Sequence, residues 1–177
     1  QRQMCIRDST GSIFINEEST KVFDPEFCFY GPMGYDIGNV IANMIFAWAN
    51  GDAAGAADFC KWVEDVLVDV INMTKEKMEK YYDEHVTDTM CRNELYKKYY
   101  MDTIIEDTSA VAGLELIRRI VGMANVKDIT TIADEAKRAR AEKICITAAI
   151  DFIKNRSDKK CGKCFLKTLK DAICLLY

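Results

Sequence analysis

Val22-Phe23-Asp24-Pro25-Glu26-Phe27 and, two residues later, Tyr30-Gly31-Pro32-Met33-Gly34-Tyr35-Asp36-Ile37-Gly38 form the stretch that decides the fold. The first run ends an apolar, strand-like segment with two carboxylates two positions apart. Side chains alternate in extended backbone, so Asp24 and Glu26 face one side while Pro25 stiffens the link between them. Hard cations such as Mg²⁺ prefer oxygen ligands of this kind. Taken alone, the Asp-Pro-Glu triplet is also typical of a surface turn.

The composition predicts one folded domain. The chain has 177 residues, of which 49% are hydrophobic, enough for a core of its own. Its net charge of -4 without a long basic block indicates that neither nucleic acid nor an anionic membrane is a partner. The longest apolar run, about residues 37–49, contains Asn39 and Asn43 and is too short to span a bilayer. With no secretory signal before it, we expect a cytoplasmic protein.

The cysteines and the single histidine narrow the chemistry. Eight cysteines are scattered through a helix-rich chain of ordinary size, which predicts reduced thiols. Cys161-Gly162-Lys163-Cys164 is a lone CxxC without a second pair or a nearby histidine, so a zinc or redox site is the less favoured interpretation. His85, in a polar stretch, is expected at a solvated helix end, which argues against a Ser/His or Cys/His catalytic device.

The patterning predicts a mainly α fold with a small β-hairpin. Residues 11–16 and 20–23 have the composition of two short strands joined by the polar turn 17–19. Helical spacing follows, with a hydroxyl cap at Thr130 or Thr131 and a cap at Asp36 for the first helix. The polar segment 155–163 precedes a last short helix. The five longer helices are expected at about residues 36–49, 57–82, 92–105, 109–124 and 132–153.

A hairpin with an acidic pair, followed only by helices, is not a complete α/β sheet domain, so we expect part of a larger fold. Residues 1–9 have no apolar period that links them to the hairpin. We therefore expect this segment to be a non-native or truncated leader.

Four motifs give the chain a family resemblance. They are Thr10-Gly11-Ser12-Ile13, Asp24-Pro25-Glu26-Phe27, the run from Phe29 to Gly38, and Gly113-Leu114-Glu115-Leu116-Ile117-Arg118-Arg119-Ile120-Val121-Gly122. In this order the chain resembles the C-terminal lobe of the S-methyl-5-thioribose kinases from about residue 10 to residue 156. The acidic pair alone would also suit kinases related to aminoglycoside and choline kinases. The resemblance implies the C-terminal lobe of a protein-kinase-like α+β fold over residues 10–156, followed by a tail with a short helix over residues 157–177.

The resemblance also implies an activity. Such kinases transfer the γ-phosphate of ATP to the 1-hydroxyl of methylthioribose in methionine salvage, with Mg²⁺, and the full-length protein is expected to be a homodimer. Catalysis of this type is mostly positioning and charge neutralisation. Asp24 matches the family's metal-binding aspartate and Glu26 its partner. Ser12 falls where related kinases place the asparagine that supports a second metal, although a hydroxyl at a strand start explains Ser12 equally well.

Arg118 and Arg119 match the family's arginine pair at the sugar site. A guanidinium fork could hold substrate hydroxyls or the transferring phosphate. Spacing alone favours a solvated ion-pair face, because both arginines fall on the polar side of a helix and Glu115 is four residues before Arg119. The stripe expected to be buried on that helix comprises Leu114, Ile117, Ile120, Val121 and Ala124.

The chain departs from the family at its catalytic loop, His-Gly-Asp-Leu-His-Thr-Gly-Ser. Aligned on Thr10-Gly11-Ser12, the catalytic aspartate falls on Arg7, and Asp8 is one position out of register. A cation cannot accept the sugar hydroxyl's proton, and losing acid–base assistance typically costs roughly 10² to 10⁴ in rate. No Gly-rich loop or phosphate-binding lysine precedes the loop in this sequence. We therefore predict that the chain is inactive alone. The alternatives are a non-catalytic helical binding module or pseudokinase remnant, and a kinase for a related sugar or amino alcohol.

Overall fold

The computed structural model describes residues 13–22 and 29–175 together with the backbone of residues 3–5. Most of the described chain is helical, and the predicted mainly α part of a kinase-like fold with a small hairpin is confirmed. The elements, in chain order, are β1 (Gln3–Cys5), β2 (Ile13–Ile15), β3 (Thr20–Val22), β4 (Phe29–Gly31), α1 (Tyr35–Ala54), α2 (Ala57–His85), α3 (Glu94–Ile120), α4 (Lys127–Thr130), α5 (Glu135–Lys154), a 3₁₀ turn (Arg156–Asp158) and α6 (Gly162–Cys174).

Two small antiparallel sheets precede the helices. β2 and β3 form the predicted hairpin, with Ile13 opposite Val22. Its turn is closed by the Asn16 side chain, whose Oδ1 accepts hydrogen bonds from the backbone N–H of Glu18 at 3.0 Å and of Ser19 at 2.7 Å. β1 pairs with β4, an arrangement that the sequence analysis did not predict.

Helix α1 is the centre of the core. Ile41, Ala42, Ile45, Phe46 and Ala49 have no solvent-exposed surface, and the helix packs against α2, α3 and α5. It is longer than the predicted 36–49, because Gly55 ends it in a left-handed conformation at φ 76°. Each fully buried Ile or Phe side chain contributes roughly 1.5–3 kcal/mol to folding.

Two glycines allow α1 and α3 to touch backbone to backbone. An added Cβ at Gly34 would lie 2.4 Å from the backbone N of Thr108, and one at Gly38 would lie 2.7 Å from the Thr108 carbonyl oxygen. Gly34 has an ordinary right-handed conformation, so its role here is to allow close packing. It is also the N-cap residue of α1, without a side-chain cap bond, and the predicted cap at Asp36 is wrong because Asp36 lies inside the first turn.

Helix α3 is continuous, so the prediction of separate helices at 92–105 and 109–124 is wrong. Two polar residues in and beside the expected gap make hydrogen bonds within the core. Thr108 Oγ1 donates to the Ile104 carbonyl at 2.9 Å, and Ser109 Oγ donates to the Phe152 carbonyl in α5 at 2.8 Å. Buried hydroxyls satisfied in this way do not interrupt a helix.

The predicted cap of the fifth helix is also wrong. Asp134 caps α5, because its Oδ1 accepts hydrogen bonds from the N–H of Ala136 and Lys137. The hydroxyls of Thr130 and Thr131 instead bond to carbonyls of Val126 and Lys127 at α4. The two threonine hydroxyls are therefore used at α4, and α5 begins directly after its own cap, Asp134.

Helix α6 packs on α2 and α5, with Phe165 and Leu169 fully buried. Asp151 ties it to the end of α5, accepting hydrogen bonds from Lys159 Nζ at 2.5 Å, Thr168 Oγ1 at 2.6 Å and Asn155 Nδ2 at 2.6 Å. Burial raises the pKa of the Asp151 carboxyl, but these three hydrogen bonds outweigh it and hold that pKa below the ordinary value. None of the helices in the described part of the chain has the length and apolar character that crossing a bilayer requires.

The close contact at Gly38 predicts that Gly38→Ala lowers the free energy of unfolding, the opposite of its effect in an ordinary helix interior. Alanine in a helix interior is normally worth about 1 kcal/mol over glycine. Here the new methyl would meet the Thr108 carbonyl, so we expect urea denaturation to show a loss of about 1–3 kcal/mol. The matched control is Gly51→Ala in the same helix, where the new methyl meets the movable Phe59 ring, and a change within about 1 kcal/mol is expected. Equal effects at the two glycines would contradict the close-packing explanation.

Asp151→Asn is expected to lower the free energy of unfolding by about 1–2 kcal/mol at pH 7. Because the folded-state pKa of Asp151 lies below its ordinary value of 3.8, this stabilisation is complete above that pH and disappears as the pH falls through the folded-state pKa. Chemical denaturation from pH 7 to pH 2 should therefore show the variant and the parent converging only in acid. A constant difference across that range would count against the ionic explanation.

Candidate functional site

The predicted metal ligands Asp24, Glu26 and Ser12 lie outside the described residues, as does Arg7. Their proposed roles therefore remain predictions. Within residues 13–22 and 29–175, no three His, Cys, Asp or Glu side chains gather as a metal site would require. The geometry available for a candidate site is that of the two arginines.

Arg118 and Arg119 share one buried carboxylate, Glu115, in the last turns of α3. Arg118 Nε donates to Glu115 Oε2 at 2.7 Å and its NH2 group donates to Oε1 at 2.8 Å, a bidentate pair. Arg119 Nε donates to the same Oε1 at 2.8 Å, and its NH1 donates to the Ala124 carbonyl at 3.2 Å. The expected Glu115–Arg119 pair is confirmed, and the contact with Arg118 is the stronger one that spacing did not predict.

Burial differs across this cluster. The Glu115 side chain is only 6% exposed, whereas that of Arg119 is 24% and that of Arg118 39% exposed. The expected buried stripe is wrong in part, because Leu114, Val121 and Ala124 are exposed and Glu115 is buried with Leu116. The buried Glu115 carboxylate thus anchors the cluster, and the guanidinium of Arg118 reaches solvent.

The cluster carries an excess of one positive charge, because two guanidiniums share one carboxylate. The hydrogen bonds to Glu115 are the main reason that the pKa of Arg118 is raised, and Tyr35 acts in the same direction. The charge on Arg118 is therefore permanent at any physiological pH. A fixed, partly exposed guanidinium of this kind suits a phosphate or a sugar hydroxyl.

The N-terminus of α1 links this cluster to the preceding strand. Tyr35, the first residue of α1, lies within electrostatic range of Arg118. The Phe29 ring in β4 packs edge-on against the Tyr35 ring, with centroids 5.0 Å apart. Phe29 follows Glu26 by three residues in the sequence. The strand that packs on Tyr35 is thus the one that follows the acidic motif in the sequence.

Two cavities border helix α3, one along its first half and one at its C-terminal end. A cleft of about 520 Å³ separates β4 and the following turn from α3, and Tyr30, Met33, Tyr100 and Asp107 are among its walls. A smaller cavity of about 250 Å³ is lined by Arg119 together with Asn125, Arg138 and Glu142, among others.

Two residues of interest escaped the sequence analysis. Burial raises the pKa of the Asp107 carboxyl in the larger cleft, and a perturbed acid in a cleft is typical of functional sites. Tyr35 near Arg118 is the other. Neither has a local sequence signal, since each depends on the packing of α1 and β4 against α3.

Glu115→Gln tests whether the carboxylate anchors the two guanidinium groups. Removing its charge leaves two guanidiniums side by side, so we expect urea denaturation to show a loss of about 1–3 kcal/mol. Glu84→Gln is the matched control, because Glu84 pairs with Lys80 at 4.0 Å on the exposed face of α2. The control should change the stability by less than about 0.5 kcal/mol. Equal effects would show that the Glu115 contacts are ordinary surface pairs.

Comparison with known proteins was made over the whole sequence. No protein-family model matches the chain. It is 35% identical over 166 residues to methylthioribose kinase 1 of Oryza sativa subsp. japonica, a match that covers 83% of this chain and 38% of the rice protein. It is 34% identical over 145 residues to the methylthioribose kinase of Bacillus pumilus (strain SAFR-032), covering 82% of this chain and 36% of that protein.

A third relative, the methylthioribose kinase of Escherichia coli O45:K1 (strain S88 / ExPEC), is 31% identical over 161 residues, covering 82% of this chain and 38% of that protein. The chain thus spans little more than a third of the length of the curated relatives it matches. Each of these plant and bacterial proteins, all named methylthioribose kinase, is similar in sequence to more than four-fifths of this chain. The predicted resemblance is therefore confirmed, and this chain is a homologue of a segment of the methylthioribose kinases.

Proposed function

We propose that this chain supplies the C-terminal lobe of an Mg²⁺- and ATP-dependent kinase that phosphorylates the 1-hydroxyl of methylthioribose. The relatives named methylthioribose kinase support the substrate, and a kinase of that name uses ATP. The resemblance further supports a cytoplasmic homodimer for the whole enzyme.

The observation that carries the proposal is the arginine pair on its buried carboxylate. Glu115 fixes both guanidinium groups, so neither has to be ordered when substrate binds. Arg118, the more exposed of the two, presents its positive charge to solvent. We assign it to the transferring phosphate or to the sugar hydroxyls, where a fixed cation gives electrostatic stabilisation without reorganisation.

Asp24 and Glu26 are proposed to hold Mg²⁺. Both offer the carboxylate oxygens that this cation prefers, and Ser12 offers a hydroxyl. Mg²⁺ held there would supply positive charge that offsets the negative charge developing during phosphoryl transfer. Phe29, three residues after Glu26 in the sequence, packs on Tyr35, which interacts with Arg118, and this supports a common site.

We also propose that the chain alone does not turn over substrate. Arg7 occupies the aligned position of the catalytic aspartate and cannot accept a proton from the sugar hydroxyl. The chain also matches only a little over a third of the length of each of these relatives. Arg7 is equally what a non-catalytic binding module or pseudokinase remnant would carry, so Mg²⁺-dependent nucleotide binding is the property that separates the two functions. A kinase for a related sugar or amino alcohol is separated by a substrate panel.

A chimera tests the kinase proposal. Residues 10–156 replace the matching segment of the Bacillus pumilus protein, whose own preceding sequence is kept, and phosphorylation of methylthioribose by ATP is measured. We expect activity that prefers methylthioribose over other sugars and amino alcohols. Extending the exchange to residues 1–156, which brings in Arg7, should lower kcat by roughly 10² to 10⁴, and Arg7→Asp in that chimera should recover part of it. A folded 10–156 chimera without activity would overturn the kinase proposal.

Arg118→Lys in the active chimera tests the arginine pair. Lysine keeps the charge but loses the planar fork, so we expect kcat/KM to fall by about 10- to 100-fold. Arg92→Lys is the control, because Arg92 precedes the other end of α3, where its Nε donates to the Val86 carbonyl. Unchanged kinetics for both variants would remove Arg118 from the site.

A further inference from the structure

Cys161 and Cys164 stand side by side at the start of α6. Cys161 is the N-cap residue, Cys164 lies in the first turn, and their Sγ atoms are 3.2 Å apart. Both side chains are partly exposed. We propose that these two thiols form a reversible redox site that small disulfides of the glutathione class oxidise to an intramolecular disulfide.

The first turn of α6 is held firmly, so the thiols do not depend on a mobile segment to meet. Gly162 N donates to Asn72 Oδ1 in α2 at 2.9 Å. An added Cβ at Gly162 would lie 2.3 Å from the Val68 carbonyl oxygen, so the turn rests directly on the α2 backbone. Side chains three apart on a helix are neighbours, with Cβ atoms about 5–6 Å apart, and modest adjustment brings such a pair into disulfide range.

The surroundings favour the thiolate at Cys164. Burial raises the pKa of this thiol, but the hydrogen bond with Cys161, the backbone amides of Lys160 and Cys161, and the charge of Lys159 together lower it below the ordinary value. A helix N-terminus acts in the same direction. Thiolates are the form that attacks disulfides, so Cys164 is the attacking residue and Cys161 the resolving one.

Other cysteines of the described chain provide the contrast. Cys145 is fully buried, and burial raises its pKa to about 12. Burial also raises the pKa of Cys60. Cys174 is exposed but has no neighbouring thiol among the described residues. Cys91 is partly exposed but, like Cys174, has no neighbouring thiol among the described residues, so redox chemistry is expected to concentrate on Cys161 and Cys164.

The reaction balances as two thiol–disulfide exchanges. The Cys164 thiolate attacks one sulfur of glutathione disulfide, which forms a mixed disulfide and releases one glutathione thiolate. Cys161 then loses its proton to solvent, attacks Cys164 Sγ and releases the second glutathione as a thiolate. The protein loses two electrons and two protons, and the oxidant becomes two molecules of glutathione. Excess reduced glutathione reverses both steps.

Peptide mapping of the full 177-residue chain tests the proposal. Trypsin cleaves after Lys163, between the two cysteines, so the disulfide appears as a linked pair of peptides in mass spectrometry. We expect glutathione disulfide at pH 7 to produce this pair from the native monomer, and reduced glutathione to remove it. A stable glutathione adduct on either cysteine without the linked pair, or a linked pair seen only after unfolding in urea, would overturn the proposal.

Single variants separate the two thiols. In Cys161→Ser, where serine is also a good N-cap, the mixed disulfide with glutathione should persist on Cys164. It should form about threefold faster than the glutathione adduct on Cys174. In Cys164→Ser, adduct formation on Cys161 should be no faster than on Cys174, and Cys174→Ser should leave the linked pair unchanged. If circular dichroism shows that a serine variant is misfolded, the pH dependence of iodoacetamide labelling in the parent chain replaces it. Labelling of Cys164 with a midpoint at or above that of Cys174 would then contradict the assignment.

Discussion

The backbone contact between α1 and α3 is the constraint on which the rest of the structure depends. Gly34 and Gly38 leave no side chain between the helices, so the start of α1 rests on the Thr108 region of α3. The Thr108 hydroxyl is satisfied there by the Ile104 carbonyl, which lets a polar side chain enter the contact without an unpaired group. A methyl group at either glycine would separate the two helices and with them every element that α1 positions.

One consequence of that contact is the environment of the arginine pair. Because α1 begins close against α3, Tyr35 comes within electrostatic range of Arg118, and Phe29 packs on the Tyr35 ring. The cluster is therefore connected to the end of the strand segment as well as to its own helix. Glu115 provides the second fixed point, since its burial forces it to use both oxygens on the guanidiniums.

Much of the fold could be predicted from the sequence, because the signals were local. The hairpin, the long apolar α1 and the helical spacing of α2 needed only alternation, periodicity and turn residues. The division of α3 was wrong because Thr108 and Ser109 are buried within one continuous helix, and a partner such as Phe152 in α5 lies far away in sequence. The Glu115–Arg119 pair followed from spacing, whereas the burial of Glu115 and the proximity of Tyr35 arise from tertiary packing. The roles proposed for Asp24, Glu26 and Ser12 rest on their residue types and spacing and on the family resemblance.

Comparison with two other acidic residues shows why the Glu115 cluster differs from a structural ion pair. Glu64 is buried and accepts hydrogen bonds from Trp48 Nε1 and from Lys170, so one cation balances one anion. Asp151 has one ammonium partner, Lys159, and two neutral donors, Thr168 and Asn155, and is balanced in the same way. Both join helices and leave no net charge to offer. Glu115 instead holds two cations, one of them substantially exposed, so the cluster keeps one positive charge at the surface. A guanidinium that is already held in place can exchange its water for an anionic or hydroxyl-rich ligand without reordering, and this is the physical reason to propose the arginine pair as a substrate contact.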